Sequence, residues 1–506
     1  MHSLNLRSLR EPLTWLKVVT GILLIVIVLR RLSTTVADPD LWGFLAFGKL
    51  FWSTGQFPYR DVFSYLPTLD PWVYHEWLTS VLFYPLYQHL EAPGLQIFKY
   101  LIALATFLFL YLTARKRGAN LFGFALVFFI ALRGWIYFGY SPVRAQVFTY
   151  FFFALTLYLL ESGRLKNRWG GLWLIVLIQA FWSNLHGGFL AGIGLISLYV
   201  LGEFISRRSF LPYLVILILS AMAILINPYG LEYYAYIVRA ISMPRPEIWE
   251  WYSIRAAFIA GIISWKEILS IVCMVIFGLI LMWRNHWKDI TASLTLCLTL
   301  YLGLRHIRHL VFFYLLMAVY LPGLLTYYWE DLKSKPGFMS VLRSLGIRVP
   351  ILVASILTLF IAFSFVKRSP LTIEIPSQPG KEFYYPVGAV TYIQKHRLSG
   401  KLLTEFGWGE YLIWNLYPQC KVGLDGRYET VYPEEVVKKY FDFLYLRSDY
   451  RQFLSDYPPD MILVSIKSLL YDSLKIDHQW QEAFADSGCA LFIGKNFESL
   501  VREKSP

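Results

Sequence analysis

Aspartates one residue apart, set among aromatic side chains, are the first feature of this chain able to do chemistry. The stretch Ala37-Asp38-Pro39-Asp40-Leu41-Trp42 is followed by Asp61 and then by Asp70-Pro71-Trp72-Val73-Tyr74-His75-Glu76-Trp77. A carboxylate so placed can take a proton from a hydroxyl or hold a divalent cation. His75 and Glu76 would supply a base or a second pair of ligands, so a divalent cation on Asp40, His75 and Glu76 is one expectation. The alternative at Asp38 is local: its side chain caps a helix starting at Leu41, with Pro39 in the first turn.

A second set of groups is cationic and sits at the ends of apolar runs. Arg144 follows Pro142, His186 lies between Asn184 and Gly187-Gly188, and Arg305, His306, Arg308 and His309 form a tight cluster. Arginine at a membrane edge is costly unless paired or used, and planar guanidinium groups match phosphate oxygens. Arg144, His186, Arg305 and Arg308 are therefore the expected phosphate holders. Arg305 and Arg308, three apart, are expected on one helical face. Snorkelling to the interface is the competing account, strongest for Arg133. The segment 244–253, with Glu247, Trp249, Glu250 and Trp251, reads either as an interfacial aromatic anchor or as a lip that stacks a sugar.

The elements that must position these groups are membrane spans. The 506 residues are 57% apolar and only 16% charged, with a mean hydropathy of +0.48, which excludes an ordinary soluble protein. Apolar runs at 18–29, 95–113, 121–140, 146–160, 172–184, 189–204, 210–226, 268–283, 290–304, 310–329 and 349–366 give about eleven spans across a core of about 30 Å. The net charge of +13 does not point to nucleic acid. Residues 1–366 carry 30 Lys and Arg against 16 acids, and residues 367–506 carry 17 against 18, so the excess lies in short loops. Those basic groups, around 115–117, 164–168, 207–208, 284–288 and 333–348, fall in every second loop and should be cytoplasmic. Arg30 and Arg31 are the exception. The alternation holds only if 77–90 is an interfacial or re-entrant helix. The first outer loop, 32–92, and the whole tail then face outward.

The tail, 367–506, has another grammar. Short apolar runs at 401–404, 421–424, 461–464 and 490–493 predict buried strands, and 410–416, 434–446 and 468–474 predict helices, together a small soluble α/β domain. Asp425-Gly426-Arg427 reads as a turn after a strand or as a binding motif. Four cysteines make neither a disulfide framework nor a zinc site, although Cys420 and Cys489 are free to pair in an oxidising compartment.

With these motifs assembled, the chain resembles bacterial membrane proteins of the GT-C glycosyltransferase superfamily, distant relatives of protein mannosyltransferases, lipid A aminoarabinose transferases and oligosaccharyltransferases. The likeness spans nearly the whole chain. It rests on DPDLW, PWVYHEWL, NLHGGF, NPYG, RPEIWEW and LDGRYE. It implies a polytopic α-helical GT-C-like fold over 1–366, with an extracytoplasmic α/β domain over 367–506, in a bacterial inner (plasma) membrane. It also implies inverting transfer of a sugar from a polyprenyl-phosphate carrier to a hydroxyl or amine of a lipid, glycan or protein acceptor. By position it makes Asp38 the base or metal-supporting carboxylate and Asp40 its partner. His75 and Glu76 complete the pocket, and Arg305 with Arg308 take the phosphate. Trp42-Gly43 stands where two bulky aromatics are expected, a departure that touches packing beside the acids.

Two other classes use similar parts. A transporter or flippase would show related halves, and none is visible; a non-catalytic envelope scaffold would use the acids only as caps. The transfer reading expects the aspartate pair and the arginine couple near 305 to open into one outward cavity.

Overall fold

The computed structural model describes residues 6–134, 139, 142–166, 169–285, 288–333, 348–380 and 383–494. Part of the expected run 121–140, and Arg168, Lys335 and Arg343 among the loop charges, lie outside them. The chain divides into two compact units. One comprises Met1–Thr35, Gln96–Asn227 and Arg245–Leu371, and the other Val36–Leu95, Pro228–Pro244 and Thr372–Pro506. The loop 36–95 thus belongs with the tail, as does the short segment 228–244.

The first unit is helical. In chain order its helices are α1 (Leu6–Arg31), the C-terminal part of α3 (Trp77–Lys116), α4 (Leu121–Gly134), α5 (Gln146–Lys166), α6 (Trp173–Leu185), α7 (Phe189–Ile205) and α8 (Leu211–Ala223). After α9 (Glu232–Ser242) of the other unit come α10 (Ile254–Ile259), α11 (Trp265–Arg284), α12 (Ile290–Arg305), α13 (Leu310–Lys333) and α14 (Arg348–Val366). Each of the eleven expected runs falls on a helix. Five helices are long and apolar enough to cross a membrane, by length and composition: those within Pro12–Arg31, Trp77–Lys116, Trp265–Arg284, Ile307–Lys333 and Val349–Val366. Five more are apolar but shorter, so about eleven full crossings is more than length alone establishes. Burial separates their roles. In the most apolar stretch of Ile307–Lys333, 72% of residues are buried, against 6% in Val349–Val366. The former is the centre of the helical packing, and the latter presents side chains suited to lipid.

Helix α3 is two helices joined at Glu91, whose φ of 51° and ψ of −145° break the helical path. The stretch 77–90 is therefore a helix of its own, and it falls within the second unit.

The second unit is built on a five-stranded sheet: β1 (Gly400–Thr404), β2 (Cys420–Val422), β3 (Met461–Ser465), β4 (Trp480–Ala485) and β5 (Cys489–Gly494), in the order β2-β1-β3-β5-β4. Strands β2, β1 and β3 run parallel, and β5 and β4 are antiparallel additions. The centre is buried on both faces, and so β1, β3 and β5 read as unbroken apolar runs. Strand β4 is a half-exposed edge with Gln481 and Glu482, and gave no such signal. The expected helices appear at Gly409–Leu416 (α16), Glu434–Leu444 (α18) and Leu469–Ile476 (α20). Helices at Val387–Lys395 (α15), Tyr428–Val431 (α17) and Tyr450–Asp456 (α19) add to them.

Cys420 in β2 and Cys489 in β5 are both free and buried. Three strand spacings separate them in this order, about 14 Å, beyond the reach of a disulfide.

The loop after α2 (Pro39–Thr54) extends this sheet. Val422 N–H donates to Phe63 O at 2.9 Å, and Tyr65 N–H donates to Val422 O at 3.1 Å, so 63–65 lies beside β2. At the other end Ala37 N–H donates to Glu374 O at 2.9 Å, and the Tyr385 hydroxyl donates to Ala37 O at 2.9 Å. Between these ties runs α2 (Pro39–Thr54), packed on α16, with Trp42 edge-on to Tyr385 and Tyr411 at 6.0 and 5.3 Å.

Candidate active site

Asp38 has extended backbone (φ −79°, ψ 140°) and caps α2: its side chain accepts the Asp40 N–H at 3.1 Å, and Pro39 fills the first turn. The helix begins two residues earlier than expected, and Asp38, 9% exposed, is committed to its start. Asp40 is in the first turn and half-buried, where the positive end of the helix favours its charge. Of the pair, Asp40 is the more exposed carboxylate.

What surrounds Asp40 comes from the tail. Glu410, 4% exposed, accepts the Gly43 N–H at 3.1 Å. A methyl built on Gly43 would lie 2.5 Å from Glu410 Cδ, and one on Gly426 would lie 2.9 Å from Glu410 Oε1 and 3.4 Å from Asp40 Oδ1. The unusual Gly43 after Trp42 is thus explained: its missing side chain makes room for a carboxyl group. Burial, with Asp40 and Asp425 adding to it, pushes the Glu410 carboxyl well above the usual carboxylate range.

Beside it the Asp425-Gly426-Arg427 turn is structural. Arg427 Nε and Nη2 donate to Asp425 at 2.8 and 2.7 Å, and Nη1 donates to Asp61 of the first loop. Its guanidinium lies 5.1 Å from the rings of both Phe63 and Trp72. Tyr432 hydroxyl donates to Asp425 Oδ2 at 2.6 Å. Asp61 in turn accepts the Ser64 N–H at 2.7 Å. The arrangement clamps loop to sheet, and the tail motif needs no ligand to account for it.

His75 and Glu76 belong to the same unit. His75 Nδ1 is 2.7 Å from the Tyr236 hydroxyl, its ring stacks on Tyr236 at 5.4 Å, and Nε2 is 3.6 Å from Glu76 Oε1. Among the described residues no three His, Cys, Asp or Glu side chains are grouped to hold a metal ion. Asp40, His75 and Glu76 are therefore not gathered as the ligand set expected for a cation.

The expected phosphate residues all lie in the helical unit. Arg144 Nη1 is 3.0 Å from Glu250 Oε1, and Arg308 Nη1 is 3.8 Å from Oε2 of the same carboxylate. Burial alone would raise the Glu250 carboxyl, but Arg144 and Arg308 outweigh it and hold it below its ordinary value. Trp251 lies under both Arg308 and Arg245, at 4.8 and 4.6 Å, so the 244–253 segment holds cations rather than serving only as an anchor. His186 Nδ1 accepts the Gly188 N–H at 2.9 Å and is 2.7 Å from Thr149 Oγ1. Accepting at Nδ1 leaves the ring's proton on Nε2 when neutral.

Arg305 and Arg308 do not share a helical face. Helix α12 ends at Arg305, His306 is extended (φ −144°, ψ 113°), and its Nδ1 is 2.7 Å from Trp251 O. Arg305 is exposed while Arg308 turns toward Glu250. The couple is therefore Arg144 with Arg308.

Two features escaped the sequence. Lys99, inside the apolar run of α3, is 1% exposed and donates to Thr34 O at 3.2 Å. Arg117 and Arg164, read as loop charges, are joined in a buried network. Arg117 meets Glu161 at 2.7 Å and Asp289 at 2.6 Å; Arg164 meets Glu203 at 2.6 Å and Asp289 at 2.8 Å. Glu161 and Glu203, at the ends of apolar helices, were the available signal.

Fold and site together define an integral membrane protein of many helices, carrying a folded α/β unit in which carboxyl groups of an inserted loop meet those of the tail. Among solved structures, the chain is similar to ArnT from Cupriavidus metallidurans bound to undecaprenyl phosphate. The identity is 13% over 95% of this chain and 98% of that one, with a TM-score of 0.46. It is similar also to the apo state of ArnT from the same organism, at 11% identity, the same coverage and a TM-score of 0.46. At this identity and TM-score the likeness assigns no reaction and no residue role here. No protein-family model and no curated protein sequence matches the chain.

Proposed function

We propose that the chain is a GT-C-type inverting glycosyltransferase, moving a sugar from a polyprenyl-phosphate carrier to an acceptor hydroxyl or amine. It would act on the outer face of a bacterial inner membrane, where the second unit would lie. The observation that carries this reading is Asp40: a half-buried carboxylate fixed in the first turn of α2, its neighbour Asp38 spent on the cap.

Inverting transfer needs a base on one side of the anomeric carbon and charge stabilisation of the leaving phosphate on the other. Asp40 takes the acceptor's proton. Asp38 orients it through the helix start, an exchange of the roles expected for the two. Arg144 and Arg308, whose charges Glu250 balances at rest, are assigned to the carrier phosphate. His186 donates from Nε2, and exposed Arg305 contributes charge alone. His75 and Glu76, ordered by Tyr236, are assigned to the acceptor. A polyprenyl chain in the bilayer supplies binding energy remote from the reacting atoms, which positions the sugar.

The test is sugar transfer by the full chain in lipid nanodiscs, supplied with undecaprenyl-phosphate-linked sugars and membrane glycolipid acceptors. Asp40→Asn should lower transfer by about a hundredfold or more with an unchanged melting temperature. Asp38→Ala should cost stability first, about 1 kcal/mol at the cap. Full transfer by Asp40→Asn would dispose of the proposal.

A further inference from the structure

Glu410 is a carboxyl buried in the second unit, 4% exposed. Apart from the Gly43 N–H its carboxyl meets chiefly other charge: Asp40 from α2, and Asp425 and Arg427 from the turn after β2, with the phenols of Tyr74 and Tyr385 nearby. Arg427 offers little relief, since Nε, Nη1 and Nη2 already donate to Asp425 and Asp61. Asp425 and Asp61 together exceed that one positive charge before Asp40 or Glu410 is counted. Both of the latter flank Gly426, at 3.4 and 2.9 Å from the point where its Cβ would stand. Two carboxylates held this close, one of them buried, do not both ionise near neutral pH, and the proton goes to the group with less water.

We propose that Asp40 and Glu410 form a one-proton carboxyl pair, Glu410 holding the proton and Asp40 the charge, so that Glu410 is a positioning residue for the base. This deepens the transfer reading and rests on it for the role of Asp40. In the step itself the acceptor O–H bond breaks and its proton passes to Asp40. The freed oxygen pair forms the bond to the anomeric carbon, while the carbon–oxygen bond to the carrier breaks with its electrons on the phosphate. Glu410 keeps its own proton throughout, and Asp40 returns the new one to water. The buried neutral acid and the fixed helix start together keep the negative charge on Asp40, the less buried member of the pair.

Infrared difference spectroscopy on the full chain in nanodiscs tests this without any substrate. Wild type minus Glu410→Gln should show a protonated-carboxyl C=O band at neutral pH that shifts in heavy water. In Asp40→Asn, which removes the neighbouring charge, the titration midpoint of that band should fall by about one pH unit or more. A merely structural Glu410 would show no such shift. Absence of the band at neutral pH, or a midpoint indifferent to Asp40→Asn, overturns the pair. Should Glu410→Gln fail to fold, the wild-type and Asp40→Asn titrations decide the matter by themselves. The band and its shift in a protein that transfers no sugar would uphold the pair and sink only the transfer reading.

Discussion

Gly43→Ala isolates the fit between the first loop and the tail. Glycine inside α2 costs about 1 kcal/mol relative to alanine, so at an unconstrained site the substitution would stabilise. Here the new methyl would stand 2.5 Å from Glu410 Cδ and Oε2. A carboxyl at the end of a side chain can usually swing aside, but this one is 4% exposed and has Gly426 against its other oxygen. Overpacking of this kind costs about 1–3 kcal/mol, and losing the hydrogen bond from Gly43 N–H adds about 1 kcal/mol. After the helix gain, the net is a loss of about 2 kcal/mol. For a unit of this size that lowers the melting temperature by about 4–8 °C, readable by tryptophan fluorescence on the full chain in detergent. Repeating the change in Glu410→Ala, where the carboxyl is gone, should reverse its sign and raise the melting temperature. The cycle separates this coupling from the cost of losing Glu410 itself. Equal losses in both backgrounds would refute the claim that Gly43 is small because of Glu410.

Other outcomes follow from the charges. Arg427→Met leaves Asp425 and Asp61 buried without their cation and should cost about 3–5 kcal/mol, seen as a collapse of the denaturation midpoint of the full chain. Glu250 contributes with the sign of a depressed carboxylate. Its stabilisation is present above the ordinary carboxylate range, about pH 4.3, and lost as pH falls below it. The gap in melting temperature between wild type and Glu250→Gln should therefore close on acidification below about pH 4. Glu410 has the opposite sign: a raised carboxyl costs stability as pH rises, so Glu410→Gln should gain on wild type in alkaline buffer. Arg144→Ala together with Arg308→Ala should weaken undecaprenyl-phosphate binding, measured by native mass spectrometry, by about tenfold or more; unchanged binding would remove the phosphate assignment.

What could be read in the sequence was what periodicity and charge parity carry. Apolar runs marked the helices and the central strands, parity set 77–90 apart as its own helix, and the aspartates of the first loop stood out by type and spacing. Partnerships between distant segments left no such trace. Glu410 is 367 residues from Gly43, and only the odd glycine after Trp42 hinted that something occupied that space. The run 290–304 marked the end of α12, but the extended backbone at His306 that parts Arg305 from Arg308 was invisible, because neither glycine nor proline marks it. His306 leaves the helix through a bond to Trp251 O, a tertiary contact. Arg117 and Arg164 read as loop charges because they follow apolar runs, and their burial with Glu161 and Glu203 depends on distant helices meeting.

That meeting has a consequence for biogenesis. Arg117 and Arg164 share Asp289, which lies 172 and 125 residues further along the chain. While the ribosome is still making the intervening spans, Glu161 and Glu203 are the only acids of the network yet available, and the early helices enter the bilayer with their electrostatics incomplete. Translation of the start of α12 closes the circuit. Asp289→Asn should therefore depress the yield of inserted protein in cells more than its effect on the purified, assembled chain would suggest, because the partner is missing when the nascent helices most need it.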